Sequence, residues 1–191
     1  MKVVGVSGSA RKGGNTAMLL AAAFAPLREA GIECELIELA GTEVRGCTAC
    51  RRSFELKDGQ CHGRQDFGNE VITALTGADA ILLGSPTYFA DLSSELKAII
   101  DRTGFVSMAN GGLLRRKVGA AVVAVRRGGG IHVFDSINHL FTISQMIVVG
   151  STYWNLGYGR EKGEVAEDAE AMANMANLGT NMAWLLGKLA E

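Results

Sequence analysis

Five apolar runs recur along the chain, at residues 3–6, 32–39, 80–84, 118–125 and 146–150. Between them lie stretches with the Ala, Leu and Met content and the spacing of helices. A strand buried on both faces reads as a nearly continuous apolar run, and parallel strands need a crossover that is usually a helix. The alternation therefore predicts an α/β fold, a doubly wound parallel sheet of five strands, as a single domain over residues 1–191. The intervening helices are expected at about 15–30, closed by Gly31, then 67–76, 91–102 with Asp91 or Ser93 as its cap, 131–143 and 164–189. No linker, repeat or low-complexity tract divides the chain, and a 48% hydrophobic composition is ample for one core.

Charge narrows the partners. Nineteen Lys and Arg stand against twenty Asp and Glu, with no basic stripe interleaved with aromatics, so nucleic acid is excluded as an expected partner. The N-terminus enters a strand at once and the apolar runs fall short of a bilayer span, so a cytoplasmic protein with no membrane contact is expected.

In a doubly wound sheet, ligands bind outside the carboxyl ends of the strands, so three loops carry the chemistry. The first, Gly8-Ser9-Ala10-Arg11-Lys12-Gly13-Gly14-Asn15-Thr16, runs from a strand through glycines into a helix. A phosphate there meets unpaired N–H groups and the positive end of the helix, with Ser9, Arg11, Asn15 and Thr16 to complete the cage. After Gly8-x-x-x-x-Gly13 the ATPase loop would need Lys and Ser/Thr, whereas Gly14 and Asn15 follow. The glycines also miss the dinucleotide spacing, which favours a terminal monophosphate over a pyrophosphate. The second loop, Pro86-Thr87-Tyr88-Phe89, sets two aromatics beside a rigid proline; the third, Arg126-Arg127-Gly128-Gly129-Gly130, leaves backbone N–H groups bare. A phosphate cradle, an aromatic wall and a glycine floor suit a phosphorylated planar cofactor, and FMN fits that description.

These three motifs, in this order, resemble those of the flavodoxin-like NAD(P)H-dependent FMN reductases, near their iron–sulfur flavoprotein branch. The resemblance covers most of the chain. It implies a flavodoxin-like fold, non-covalent FMN, NAD(P)H as co-substrate, and homodimers or homotetramers with the flavin close to a subunit contact. It assigns the phosphate to Ser9, Arg11, Asn15 and Thr16, the ribityl chain and ring to Pro86, Thr87, Tyr88 and Phe89, and the ring edge to Gly128, Gly129 and Gly130, with Arg126 a further cofactor-binding candidate on the same loop. The function expected is hydride transfer from nicotinamide to FMN and on to a small-molecule acceptor such as free flavin or a quinone. No side chain need act as acid or base in that transfer, so no catalytic residue is named. An electron carrier of iron–sulfur flavoprotein or flavodoxin type, and a non-enzymatic module of the same fold, are the alternatives.

Residues 41–66 form an excursion too long for an ordinary connection and hold Cys47, Cys50 and Cys61. This resembles the compact cluster loop of iron–sulfur flavoproteins, but Ser53 stands where a further cysteine would fall, and a four-iron cluster usually takes four thiolates. Cys34 is expected on the second strand, facing the core. His62 adjoins Cys61, so the two side chains diverge and make a weak zinc pair, while His132 and His139 read as surface or packing residues. The loop is accordingly read as unmetallated thiols. Residues 151–158 carry three aromatics and a leucine after the fifth strand, and with the Ala/Met-rich last helix, where Ala173, Ala176 and Gly179 offer close approach, they are expected at a subunit contact.

Overall fold

The computed structural model describes residues 1–191. The strands are β1 (Lys2–Ser7), β2 (Glu33–Glu38), β3 (Ala80–Pro86), β4 (Val118–Val125), β5 (Ile147–Val148) and β6 (Leu156–Tyr158). The helices are α1 (Asn15–Glu29), α2 (Arg52–Leu56), α3 (Gly68–Gly77), α4 (Ser94–Ala109), α5 (Gly130–Ile143) and α6 (Ala169–Ala190). The sheet is parallel throughout, in the order β2-β1-β3-β4-β5.

Alternation along β1 divides the core. Val3 packs with α1 and α6 on one face, through Leu20, Phe24, Met175 and Leu178. Val4 and Val6 pack on the other face with α3, α4 and α5, through Val71, Leu96, Ile99 and Phe141. Gly5 lies between them, and a Cβ there would stand 2.6 Å from the Phe24 ring, so this glycine lets α1 lie close on the sheet.

Three elements depart from the expectations. The fifth sheet position is shared, β5 pairing with Val118 and Gly119 at one end of β4, and β6 with Val123, Ala124 and Val125 at the other. The sequence reading missed β6 because three residues carry no periodicity; it exists because the upper half of β4 leaves an edge to be paired. Helix α4 is capped by Ser93, whose Oγ accepts from Leu96 N–H at 3.3 Å, but it starts later and runs to Ala109 instead of ending at Arg102. Buried Val106 and Ala109 carry it past Gly104. The last helix starts at Ala169, not 164: Glu164–Glu167 is a 3-10 turn, and the Asp168 carboxylate caps α6 through Ala171 N–H at 3.0 Å.

Candidate functional site

At the end of β1, Gly8 N–H donates to Gly84 C=O at 2.8 Å, tying the first loop to β3. A Cβ at Gly8 would come within 2.7 Å of both Leu96 Cβ and Ser93 Oγ, so glycine is what lets the chain pass. Ser9 Oγ accepts from Arg11 N–H, Gly14 N–H donates to Arg11 C=O, and Gly13 adopts φ +59. The chain then enters α1 with Gly14 as N-cap, with no side-chain cap and no acidic residue in the first turn. The helix thus presents unpaired N–H groups and its positive end outward. Thr16 Oγ1, buried at the base of the loop, has no hydrogen-bond partner.

Facing this loop across a cleft of about 390 Å³ are Pro86, Thr87 and Tyr88 from the end of β3, Arg126 from the end of β4, and residues 159–162 after β6. The last group was not anticipated. Arg11 Nη1 donates to Arg160 C=O at 3.0 Å, Asn15 Nδ2 donates to Glu161 C=O at 2.9 Å, and Asn15 Oδ1 accepts from Gly163 N–H at 2.8 Å. A Cβ at Gly159 would lie 2.7 Å from Val165 N and 2.8 Å from Asn15 Nδ2. The Glu164 carboxylate accepts from Arg160 and Glu161 N–H groups, which holds it below the usual carboxylate range and pins the turn. The fold brings this turn to the cleft from nearly 150 positions away, which a reading by local motif does not see; its only signal is Gly159-Arg160-Glu161-Lys162-Gly163, a basic turn between glycines. The cleft carries Arg11, Arg126, Arg160 and Lys162 against a single acid, Glu161, which itself pairs with Arg160.

The aromatic loop is a tight turn. Tyr88 and Asp91 exchange both backbone hydrogen bonds, while Phe89 and Ala90 between them take φ +49 and +63. Two non-glycine residues in the left-handed region cost of order 1–2 kcal/mol each. The conformation drives the Phe89 side chain into solvent, at 107% relative exposure, so Phe89 stands beside the cleft mouth without lining it. Gly128, Gly129 and Gly130 do not line the cleft either. Gly129, at φ +86, caps α5, and a Cβ there would press on Ala90 Cα at 2.9 Å, so it lets the second and third loops touch. Ser9, Arg11, Asn15, Thr16, Pro86, Thr87, Tyr88 and Arg126 do converge on the cleft. A larger, shallow groove of about 550 Å³ beside Lys2 and Glu35 starts from the opposite end of the strands.

Residues 1–161 match the family of NADPH-dependent FMN reductases. The chain belongs to that family. An iron–sulfur flavoprotein of Methanocaldococcus jannaschii is 38% identical over 190 residues, 96% of each chain. Among solved structures, a flavodoxin from the domain Archaea superposes with a TM-score of 0.63 at 16% identity, over 98% of this chain and 99% of that one. RosB, solved with a bound flavin-phosphate intermediate, superposes at 0.80 and 16% identity, over all of this chain and 80% of its own. The fold is flavodoxin-like, as the motifs imply.

In this family member the excursion at 41–66 is mostly irregular, with only α2 inside it. Cys47 and Cys50 are exposed and Cys61 is buried, yet all three line one small pocket with Ser53, Phe54 and Arg102. A backbone hydrogen bond from Arg52 and then the Thr48 hydroxyl favour the Cys50 thiolate and lower its pKa. His62 is taken by Asp58 at 2.8 Å instead of turning to the thiols. Cys34, half-buried on β2, has its thiol pushed up by burial.

Proposed function

We propose that this chain is an FMN-dependent NAD(P)H oxidoreductase that passes electrons from a nicotinamide through FMN to a small acceptor. The observation that carries the reading is the cleft at the carboxyl ends of β1, β3 and β4: an uncapped helix N-terminus, a buried Thr16 hydroxyl with no partner, and four cations around them. A dianionic phosphate would satisfy all three at once. Ser9 and Thr16 supply hydroxyls and α1 its N–H groups. Arg11 and Asn15 act in a second way as well, since they already hold the 159–163 turn over the cleft and so keep Arg160 and Lys162 at its rim.

When bound, FMN supplies hydride acceptance at its ring and onward electron transfer, so the protein's share is position and electrostatics. Pro86, Thr87 and Tyr88 form the wall along which a ribityl chain and ring would lie, and Thr87 is anchored by its N–H to Ala124 C=O at 2.9 Å. The strained turn at Phe89 and Ala90 is the element free to re-pack over a flat ring. Tyr153 and Trp154, edge to face with centroids 4.7 Å apart and more than half exposed, support a homodimer or homotetramer meeting near this end of the sheet. The small-residue stripe of α6 does not add to that contact as expected: Gly179 lies under α1, where a Cβ would meet Ala23 O at 2.1 Å. Four free thiols fit a reducing compartment, the cytoplasm, and no helix is long and apolar enough to cross a membrane.

The test is titration of flavin-free protein with FMN and riboflavin, then steady-state oxidation of NADPH and NADH with a quinone or free flavin as acceptor. FMN should bind more tightly than riboflavin and turnover should require it; equal affinities would remove the phosphate assignment. A second reading, an electron carrier that does not meet nicotinamide, is favoured by the three cysteines sharing one pocket and by the name of the Methanocaldococcus relative. Turnover with a nicotinamide excludes it.

A further inference from the structure

The pocket between α2 and α4 contains a charge that its neighbours engage only in part. Arg102 is fully buried, and Nη1 alone is bonded, to Asp66 Oδ1 at 2.7 Å and Arg45 C=O at 3.2 Å. Nε and Nη2 have no partner, and the Asp66 oxygens are already shared with the Gly68 and Arg45 N–H groups. Buried donors of a charged group left unpaired are costly, so a further acceptor is called for. The group that lies against the guanidinium is the Cys61 thiol. A neutral thiol accepts weakly, whereas a sulfur that carries negative charge accepts well.

Cys61 sits on the rigid side of this pocket. Its N–H donates to Asn69 Oδ1 on α3 at 3.2 Å, and Ser53 Oγ donates to the preceding carbonyl, Gln60 C=O, at 2.9 Å. Cys50 sits on the open side, exposed, with the Arg52 N–H and the Thr48 hydroxyl favouring its charged form. A Cβ built at Gly63 would stand 3.1 Å from Cys50 Sγ, so this thiol rests on the segment that carries Cys61. Cys47, also exposed, accepts instead from Ala49 N–H at 3.3 Å. No three His, Cys, Asp or Glu groups converge to hold a metal ion, and the void between the thiols is about 20 Å³. A disulfide needs two sulfurs and no occupant.

We propose that Cys50 and Cys61 form a reversible disulfide by exchange with low-molecular-weight disulfides, with Cys50 as the attacking thiol, Cys61 as the resolving one and Arg102 as the positioning residue for the Cys61 sulfur. First, the Cys50 thiolate attacks one sulfur of the small disulfide, whose S–S bond breaks, giving a mixed disulfide on Cys50 and one free small thiolate. Then Cys61 releases its proton to solvent and attacks Cys50 Sγ; the bond to the small thiol breaks and the second small thiolate leaves. Two protein thiols are oxidised by two electrons, and one small disulfide is reduced to two thiols that take up the two protons. The free N–H groups of Arg102 lie against the sulfur on which charge develops in the second step, and to which it returns when the disulfide is reduced. The couple stores two electrons outside the cleft and needs neither flavin nor nicotinamide.

The experiment incubates the FMN-loaded full chain anaerobically with oxidised glutathione as the probe, quenches by alkylation at timed intervals, and maps the cysteine peptides by mass spectrometry, with circular dichroism to check that each variant is folded. The wild type should pass through a glutathione adduct on Cys50 to a Cys50–Cys61 disulfide, and excess dithiothreitol should return both thiols. C47S should behave as the wild type, C50S should form neither species, and C61S should stop at the adduct. R102K keeps the charge but not the planar pair of N–H groups, while D66N/R102M removes the ion pair as a unit without stranding a buried charge. In both, the adduct should form at the wild-type rate and resolve roughly tenfold more slowly, whereas a merely structural role would move both steps or neither. Absence of a Cys50–Cys61 link in the folded wild type overturns the site. A disulfide that persists in C61S overturns Cys61 as the resolving thiol, and resolution at the wild-type rate in R102K and D66N/R102M overturns the role of Arg102.

Discussion

The cleft proposed for FMN and the cysteine pocket are made of different materials. The cleft consists mainly of backbone at strand ends: Gly8 tied to Gly84, the uncapped start of α1, and a turn held over it by Arg11 and Asn15. The cysteine pocket consists of side chains on an irregular insertion, backed by one buried ion pair, Arg102–Asp66. A site built from backbone follows from the fold, and changing one side chain degrades it by degrees. A site built from side chains turns on single residues, and here Cys47, Cys50, Cys61 and Ser53 line one small pocket against Arg102.

That contrast is broken most forcefully at Asp66. Burial opposes its charge, but hydrogen bonds from Arg102 and from the Arg45 and Gly68 N–H groups outweigh it and hold the carboxyl below its usual range. D66A should cost about 3–5 kcal/mol in urea unfolding, because Arg102 is left as an uncompensated buried charge. The wild-type contribution of Asp66 is fully present above the ordinary carboxylate pKa of about 4 and is lost as pH falls through the lower native value. Acid titration of wild type and D66N should therefore converge only well below pH 4. Convergence already near pH 6 would show that another group dominates.

In the cleft the largest effects should fall on affinity, with stability less affected. Arg11→Ala should weaken FMN binding by roughly tenfold to a hundredfold and riboflavin binding far less, read by fluorescence titration, since only FMN brings the phosphate. Part of that loss comes through Arg160 C=O, to which Arg11 donates. Gly159→Ala separates the two contributions: its Cβ would collide with Val165 N and push the turn away. Overpacking of about 1–2 kcal/mol predicts a several-fold to thirtyfold loss of FMN affinity with Arg11 intact. A loss as large for riboflavin would assign the turn to the ring instead of the phosphate.

The strand runs, the order of the βα units and the first loop were legible because each rests on local periodicity or on glycines next to a helix start. Val118–Val125 coincides with its apolar run, and Ser93 caps α4 as one of two candidates. What stayed hidden depends on contacts distant in sequence. Residues 159–162 reach the cleft because β6 pairs with Val123–Val125, and Gly128–Gly130 lie at a helix start, with Gly129 packed on Ala90, outside the cleft lining. Arg102, the last residue of the predicted helix 91–102, gave no sign that it would be fully buried against the Cys61 thiol.

The smallest expected effect lies in the strained turn. Ala90→Gly should stabilise the protein by about 0.5–1 kcal/mol, because glycine takes φ +63 without penalty. Thermal unfolding with and without FMN checks whether that gain shrinks on binding, as it should if the ligand re-packs the turn.

Anaerobic mixing of the FMN-loaded protein with NADPH, and separately with NADH, tests the central claim most directly. The visible flavin band should bleach with at least one of them, and bleaching should fall in Arg11→Ala in proportion to the flavin it has lost. A flavin that stays oxidised with both nucleotides, yet is reduced by dithionite, would contradict the oxidoreductase and leave an electron carrier.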